Sequence, residues 1–400
     1  GDLEPGTCVT MSISLENTWG DLLNVTATLS TTEPLIALTD ATAVYDNIHG
    51  YKTVTNSIDT FELSIDAETP YSHLVPFSLT VTGNDMAYST TLPLSITTTS
   101  NVMRVSGIFD QDTIWFSDKE YLVEDNLLVG EGVTLTIQPG TVVRFADAKS
   151  LQINGTLVAS GTDSQPIIMT SAQSHPAPGD WDLLKFGPTA DSAQVNEDST
   201  YLRGSLLRHV RIEYGNGVSL QGVTPFFDHV VFIDNIGNSD GQTTGGANGP
   251  GALFCELYRY GTSNDVLVVQ DSKFISNASG GLIIHGYARR AIIHGNSFLH
   301  NGGQAMHVEK STELTSVAGN YFDKNNSCIA IGVATSSTII ENNAFIECAR
   351  PARSSGVGID ISGGSPVIRH NVFSNGGSNS YSNQYSVIYS GSPTVISNTI

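Results

Sequence analysis

Between Val266 and Ile400 the apolar and polar positions fall into one recurring phrase. It reads VVQDSKFISN from Val268, IIHGNSFLHN from Ile292, SVAGNYFDKN from Ser316, IIENNAFIEC from Ile339 and VIRHNVFSNG from Val367. The aromatic residues Phe274, Phe298, Phe322, Phe345 and Phe373 recur about every 23 to 28 residues, within the range of solenoid repeats. Two residues before each stands a small polar residue: Ser272, Asn296, Asn320, Asn343 and Asn371. Three residues after come Asn277, Asn301 and Asn325, then Cys348 and Gly376. The surrounding runs are short, rich in Val and Ile, and bounded by Gly, Asn and Ser, which predicts strands. No helical period runs for ten residues between them. The leucine-rich pattern and the four strands per blade of a propeller are both absent. A parallel β-helix remains, with about three strands per coil, coils about 4.8 Å apart and a right-handed course.

The columns then have physical tasks. One Phe per coil predicts an internal aromatic stack, offset or edge-on. An Asn at each turn can bond the same amide one coil away and satisfy buried backbone groups. With Phe298, Phe322 and Phe345 in one column and Asn296, Asn320 and Asn343 in another, the pattern resembles the pectate-lyase-like superfamily of right-handed parallel β-helix proteins. The phrase Leu135 to Val143, LTIQPGTVV, is similar to the opening coils of bacterial surface β-helix proteins, and Ile153 to Leu157 and Pro166 to Ile168 extend the likeness. The resemblance covers roughly residues 107–400.

The first hundred residues follow a different rule. Runs starting at Cys8, Leu22, Ile36, Phe61, Val75 and Tyr88 alternate polar and apolar residues with turns between them, which suggests a β-sandwich of about seven strands. Glu4-Pro5-Gly6 and Glu16-Asn17-Thr18 resemble the ends of a strand in the immunoglobulin-like accessory modules of secreted bacterial and archaeal proteins. The expectation is an all-β chain: an immunoglobulin-like β-sandwich over residues 1–102, then a right-handed parallel β-helix solenoid over residues 103–400.

Charge narrows the partners. Eighteen Lys plus Arg against 39 Asp plus Glu give a formal net charge of −21. That field disfavours nucleic acid and anionic membranes. It favours cations, of which Ca²⁺ is the usual one outside cells, although no residue set fixes a metal site and no cofactor is required. No apolar run reaches membrane-spanning length, so direct membrane insertion is not expected. The opening Gly1 to Gly6 lacks the basic start and apolar core of a signal peptide, and the repeat stops in mid-coil at Ile400. The expectation is either a piece of a longer protein or a chain that associates with itself through an uncovered strand edge. Of four cysteines, Cys328 and Cys348 fall in adjacent coils and can pair. Asn24, Asn154, Asn277 and Asn325 lie in N-x-S/T triplets, and the last two are also ladder positions.

Long loops leave the solenoid after the core aromatics, at 236–251, 349–357 and 376–385. The second carries Arg350 and Arg353, the third Tyr381 and Tyr385. Loops on a rigid scaffold are where binding concentrates, so these four are the candidate ligand-binding residues. The resemblance implies where catalysis would be sought: lyases of the superfamily hold Ca²⁺ with several carboxylates near an Arg base, and its hydrolases use Asp residues with G-H-G and R-I-K motifs. The column after the long-loop corner reads Ile283, His307, Ala330, Asp360, one carboxylate and one His two coils apart. Ile284-His285-Gly286 and Ile293-His294-Gly295 each lack the first Gly of G-H-G. His285, His294 and His307 read as surface or ladder residues. His209 and His229, each three before an inward apolar residue, read as a stacked outward pair with no third ligand. No catalytic residue is assigned. The expected function is a non-catalytic extracellular structural or adhesive protein at the cell surface, its partners itself, other surface proteins or polysaccharide. The alternative is a carbohydrate-active enzyme, a polysaccharide lyase or glycoside hydrolase.

Overall fold

The computed structural model describes residues 3–69, 73–98, 102–237, 251–257, 266–288, 290–311, 315–348, 356–374, 385–389 and 392–399. These contain strands and turns and no helix. The chain divides into two compact units, Gly1–Asn101 and Val102–Ile400.

The first unit contains nine strands among its described residues. One antiparallel sheet orders Cys8–Met11, Phe61–Ile65 and Ile36–Asp40; another orders Thr42–Ile48, Leu22–Thr31, Leu74–Gly83 and Tyr88–Thr97. Ser14–Glu16 pairs with Thr53–Thr55. Alternation decides which side chains face in: Val25, Ala27 and Leu29 from one sheet meet Phe61, Leu63 and Ile65 from the other in one core. The strand Thr42–Ile48 was missing from the sequence reading. It buries Ala43, Tyr45 and Ile48, and its uneven apolar spacing follows from irregular pairing with Leu22–Thr31.

The second unit is a parallel solenoid with three faces. One coil runs Val266–Gln270 on the first face, Lys273–Ile275 on the second and Gly280–Ala288 on the third. The first face stacks eleven strands, from Thr113–Trp115 to Thr394–Ile396. The other two faces join into one twenty-stranded sheet, because Val102–Phe109 and Glu120–Val129 are long enough to serve both. Residues Glu120 to Val123 pair with the second face and Leu127 to Val129 with the third.

The interior is the predicted pair of ladders around an aromatic column. Phe232, Phe274, Phe298, Phe322, Phe345 and Phe373 stack with centroids 4.7 to 5.0 Å apart and planes within 10° of parallel. The rings are stacked face to face with none edge-on, because parallel in-register strands carry each ring directly over the last. The expected edge-on option is thereby excluded. Opposite the rings runs a column of small residues, Ala252, Gly281, Ala305, Cys328 and Gly358. A Cβ on Gly281 would stand 2.9 Å from Phe298 Cδ1, and one on Gly358 2.7 Å from Phe373 Cε1, so the rings fill that space. In the first ladder Asn296, Asn320, Asn343 and Asn371 each donate Nδ2 to the next amide oxygen at 2.9 to 3.0 Å. A second ladder links Asn235, Asn277, Asn301 and Asn325, and its next position, Cys348, is disulfide-bonded to Cys328. Asn277 and Asn325 are 1% exposed, which agrees with their reading as ladder residues.

Turns at the corner between the first and second faces put one residue in the left-handed region: His209 (φ 45°), His229 (φ 53°), Asp271 (φ 49°), Gly295 (φ 68°), Gly319 (φ 66°), Asn342 (φ 56°) and His370 (φ 55°). That conformation turns the chain sharply, and the side chains of the five that are not glycine point outward. An extra hairpin, Gln194–Val195 with Tyr201–Arg203, contributes Val195 and Tyr201 against an outer apolar patch of Leu206, Phe226, Val268 and Ile292 on the first face.

Candidate functional site

Two outward clusters carry chemistry. The first sits at the corner between the first and second faces. The last residues of seven successive first-face strands form a mostly polar column: Arg208, Asp228, Gln270, His294, Ala318, Glu341, Arg369. Arg208 Nε donates to Asp228 Oδ2 at 2.8 Å, and Arg369 Nε to Glu341 Oε2 at 2.6 Å. Asp228 Oδ1 also lies 2.7 Å from His229 Nδ1 and accepts Gln270 Nε2 at 3.2 Å. Burial alone would raise the Asp228 carboxyl, but the bonds from His229, Arg208 and Gln270 outweigh it and hold the group below the usual carboxylate range. The His209 and His229 rings stack at 4.7 Å. One ligand-type atom each from Asp228, His229 and Asp271 lies within 4.8 Å of the other two. This corrects the reading of the His pair as lacking a third ligand: two carboxylates stand beside it. A pocket of about 230 Å³ opens here, lined by Asp163, His209, Arg211, His229, Asp271 and Lys273 among others.

The second cluster is on the third face. Its outward column reads Gln152, Lys185, Ser219, Phe254, Ile283, His307, Ala330, Asp360, Ile388. Phe254, Ile283, His307 and Ala330 are buried although they point out of the solenoid. Neither ring nitrogen of His307 has a hydrogen-bond partner among the described residues. Burial lowers its pKa to about 4, against a raising effect of Glu309 and a further lowering by His285. Towards the strand ends, Glu256 pairs in register with His285, whose Nε2 lies 3.4 Å from Glu309 Oε2. Glu309 also accepts the Gly286 amide at 2.8 Å, and the His285 ring stacks on Phe254 at 6.1 Å.

The family described as a pectate-lyase like beta helix domain matches residues 107–219, and that described as a right handed beta helix region matches residues 256–400. The second unit is a right-handed parallel β-helix, pectate-lyase like over residues 107–219. The chain is also similar to the protein bark beetle of Drosophila melanogaster, 44% identical over 55 residues, which are 14% of this chain and 2% of that protein. No solved structure matches the chain. No helix among the described residues is long and apolar enough to cross a membrane.

Within the β-helix, Arg350, Arg353 and Tyr381 lie outside the described residues. Tyr385 begins the third-face strand Tyr385–Tyr389 and pairs in register with Gly356. Asp360 and His307 stand two coils apart as expected, with Ala330 between them. His294 is a corner residue bonded to Ser316 Oγ at 2.8 Å, its pKa lowered by burial despite Glu341 and Asp271. His307, read as a surface or ladder residue, is buried: outward on this β-helix does not mean solvated.

Burial of His307 fixes a pH dependence. Its folded pKa, about 4, lies below the ordinary His value, so the folded state resists protonation that the unfolded chain accepts. The associated stability is fully present above about pH 6.5 and is lost as pH falls towards 4, on the order of 3 kcal/mol at most. Urea unfolding across that window should show the loss in the unsubstituted chain. The slope should flatten in His307→Leu, whereas an equal slope would assign the acid sensitivity elsewhere.

Proposed function

We propose that this chain is a non-catalytic extracellular protein with a structural or adhesive role. The observation that supports this reading most is the outward column of the third face, where Asp360 is the one carboxylate among apolar and uncharged neighbours. General acid–base work on a glycosidic bond needs two carboxyl groups facing each other about 5 to 10 Å apart. The segments 349–357 and 376–385, expected from the sequence as loops, carry Arg350, Arg353, Tyr381 and Tyr385, and the third-face strand Tyr385–Tyr389 begins at the last of these. These four are the proposed contacts to a polysaccharide, a surface protein or a second copy. The net charge of −21 suits a Ca²⁺-containing extracellular setting.

One arrangement favours a second reading. Glu256 and Glu309 flank His285 two coils apart, roughly 10 Å by the strand spacing, which suits a carbohydrate-active enzyme. Against it, Glu309 is already held by the Gly286 amide and His285. To test the structural reading, the full chain is immobilised and challenged with extracellular polysaccharides and with itself, with and without millimolar Ca²⁺. Saturable retention of at least one of them, recovered at its original length, is expected. Retention of none, or recovery of shortened polysaccharide, would overturn the reading.

A further inference from the structure

We propose that the corner formed by Asp228, His229 and Asp271 is a binding site for a divalent transition-metal ion of the Zn²⁺ class. The three residues come from two consecutive coils. His229 and Asp271 occupy the same left-handed corner position, and Asp228 ends the first-face strand beside them. A tetrahedral metal with bonds of 2.0–2.2 Å needs its ligand atoms about 3.3 Å apart. One ligand-type atom from each residue already lies within 4.8 Å of the other two, and His229 Nδ1 is 2.7 Å from Asp228 Oδ1. Asp271 is exposed, so a side-chain rotation closes the remaining distance.

The rest of the corner fits this occupant. Asp228 keeps its Oδ2 on Arg208, which fixes the carboxylate plane while Oδ1 faces the imidazole. Such an outer bond orients the ligand, and the Arg208 charge helps keep the carboxylate ionised. On binding, the proton shared by His229 Nδ1 and Asp228 Oδ1 leaves to solvent, and both atoms ligate the ion. An imidazole nitrogen with two carboxylate oxygens selects borderline metals over Ca²⁺, which takes six to eight oxygens. His209, stacked on His229 at 4.7 Å, and the pocket of about 230 Å³ leave room for water or an external group in the open positions. Lys273 lines the same pocket and opposes a cation, while Arg211 is committed to Glu213. The site lies at the corner of the first and second faces and does not depend on the function proposed above.

The experiment titrates the full chain with Co²⁺, read by visible absorption and calorimetry, then displaces it with Zn²⁺. One Co²⁺ per chain with a low-symmetry d–d spectrum is expected. His229→Gln and Asp271→Asn should each weaken binding at least about tenfold. Lys273→Gln should tighten it, because a repelling charge is removed, and His285→Gln should leave it unchanged. Asp271→Asn keeps a side chain that tolerates positive φ, so melting in chelator should match the parent and separate ligand loss from misfolding. Failure of the unsubstituted chain to bind Co²⁺ or Zn²⁺ at millimolar concentration would overturn the proposal. So would binding that His229→Gln and Asp271→Asn leave intact.

Discussion

Phe322→Ala should lower the unfolding free energy of the β-helix by roughly 3 to 5 kcal/mol, as large-to-small changes at fully buried rings do. The ring is 0% exposed and stacks on Phe298 at 4.9 Å and on Phe345 at 5.0 Å. The space it leaves cannot close. The strands that hold the three rings, Ser297–Leu299, Tyr321–Asp323 and Ala344–Ile346, are pinned in register, so the rings above and below cannot slide together. Phe322→Leu leaves a smaller void and should cost less. Each coil touches chiefly its neighbours, so the loss should appear as local opening of the coils around Tyr321. Urea unfolding with hydrogen exchange at Phe298 and Phe345 measures both effects. A loss below about 1 kcal/mol for the Ala variant would show that the ring is not enclosed.

Asn320→Ala should cost about as much, roughly 3 to 5 kcal/mol, for a different reason. Asn320 Oδ1 accepts from the Asn296 amide at 2.9 Å and from Asn296 Nδ2 at 3.0 Å. Its own Nδ2 donates to Ile293 O at 2.8 Å and to Asn343 Oδ1 at 3.0 Å. Truncation removes all four bonds at once and strands buried groups on both neighbouring coils, at about 1 to 3 kcal/mol for each group left unpaired. Asn320→Asp is the sharper variant. It keeps the shape and the acceptor but loses both donors and puts a carboxylate against Asn343 Oδ1 in a buried column. Denaturation at two pH values should find Asn320→Asp more damaging at neutral pH than near pH 4, where the added carboxyl is neutral. Equal stability of Asn320→Asp and the parent at neutral pH would contradict the ladder.

The two ladders and the aromatic column were legible because they sit close together in sequence. Ser272, Phe274 and Asn277 lie within six residues, and that spacing survives in the coils of Phe298 and Phe322. The column of small residues was not legible. Ala252, Gly281, Ala305, Cys328 and Gly358 follow their core aromatics by distances that change with every insertion between the second and third faces. The corner cluster was hidden in the same way: His209 and His229 are near in sequence, but the long insertion after Asn235 puts Asp271 far down the chain, although it is one coil away in space. The third face misled for another reason. Strand alternation tells which side chains leave the interior, and it says nothing about what covers them, so the burial of the outward Ile283 and His307 was not foreseen. The first unit was read in six of its strands and missed at Thr42–Ile48, whose pairing is irregular.

The central claim is that this right-handed β-helix holds ligands or neighbours in place and does not cleave them. The most direct measurement is product analysis of the full chain incubated with acidic and neutral polysaccharides and millimolar Ca²⁺, following unsaturated ends by ultraviolet absorption and new reducing ends by colour reaction. No product above the substrate-alone control is expected on any of them. Release of unsaturated or reducing ends by the parent chain, abolished in Glu309→Gln or Asp360→Asn of unchanged melting temperature, would contradict the account.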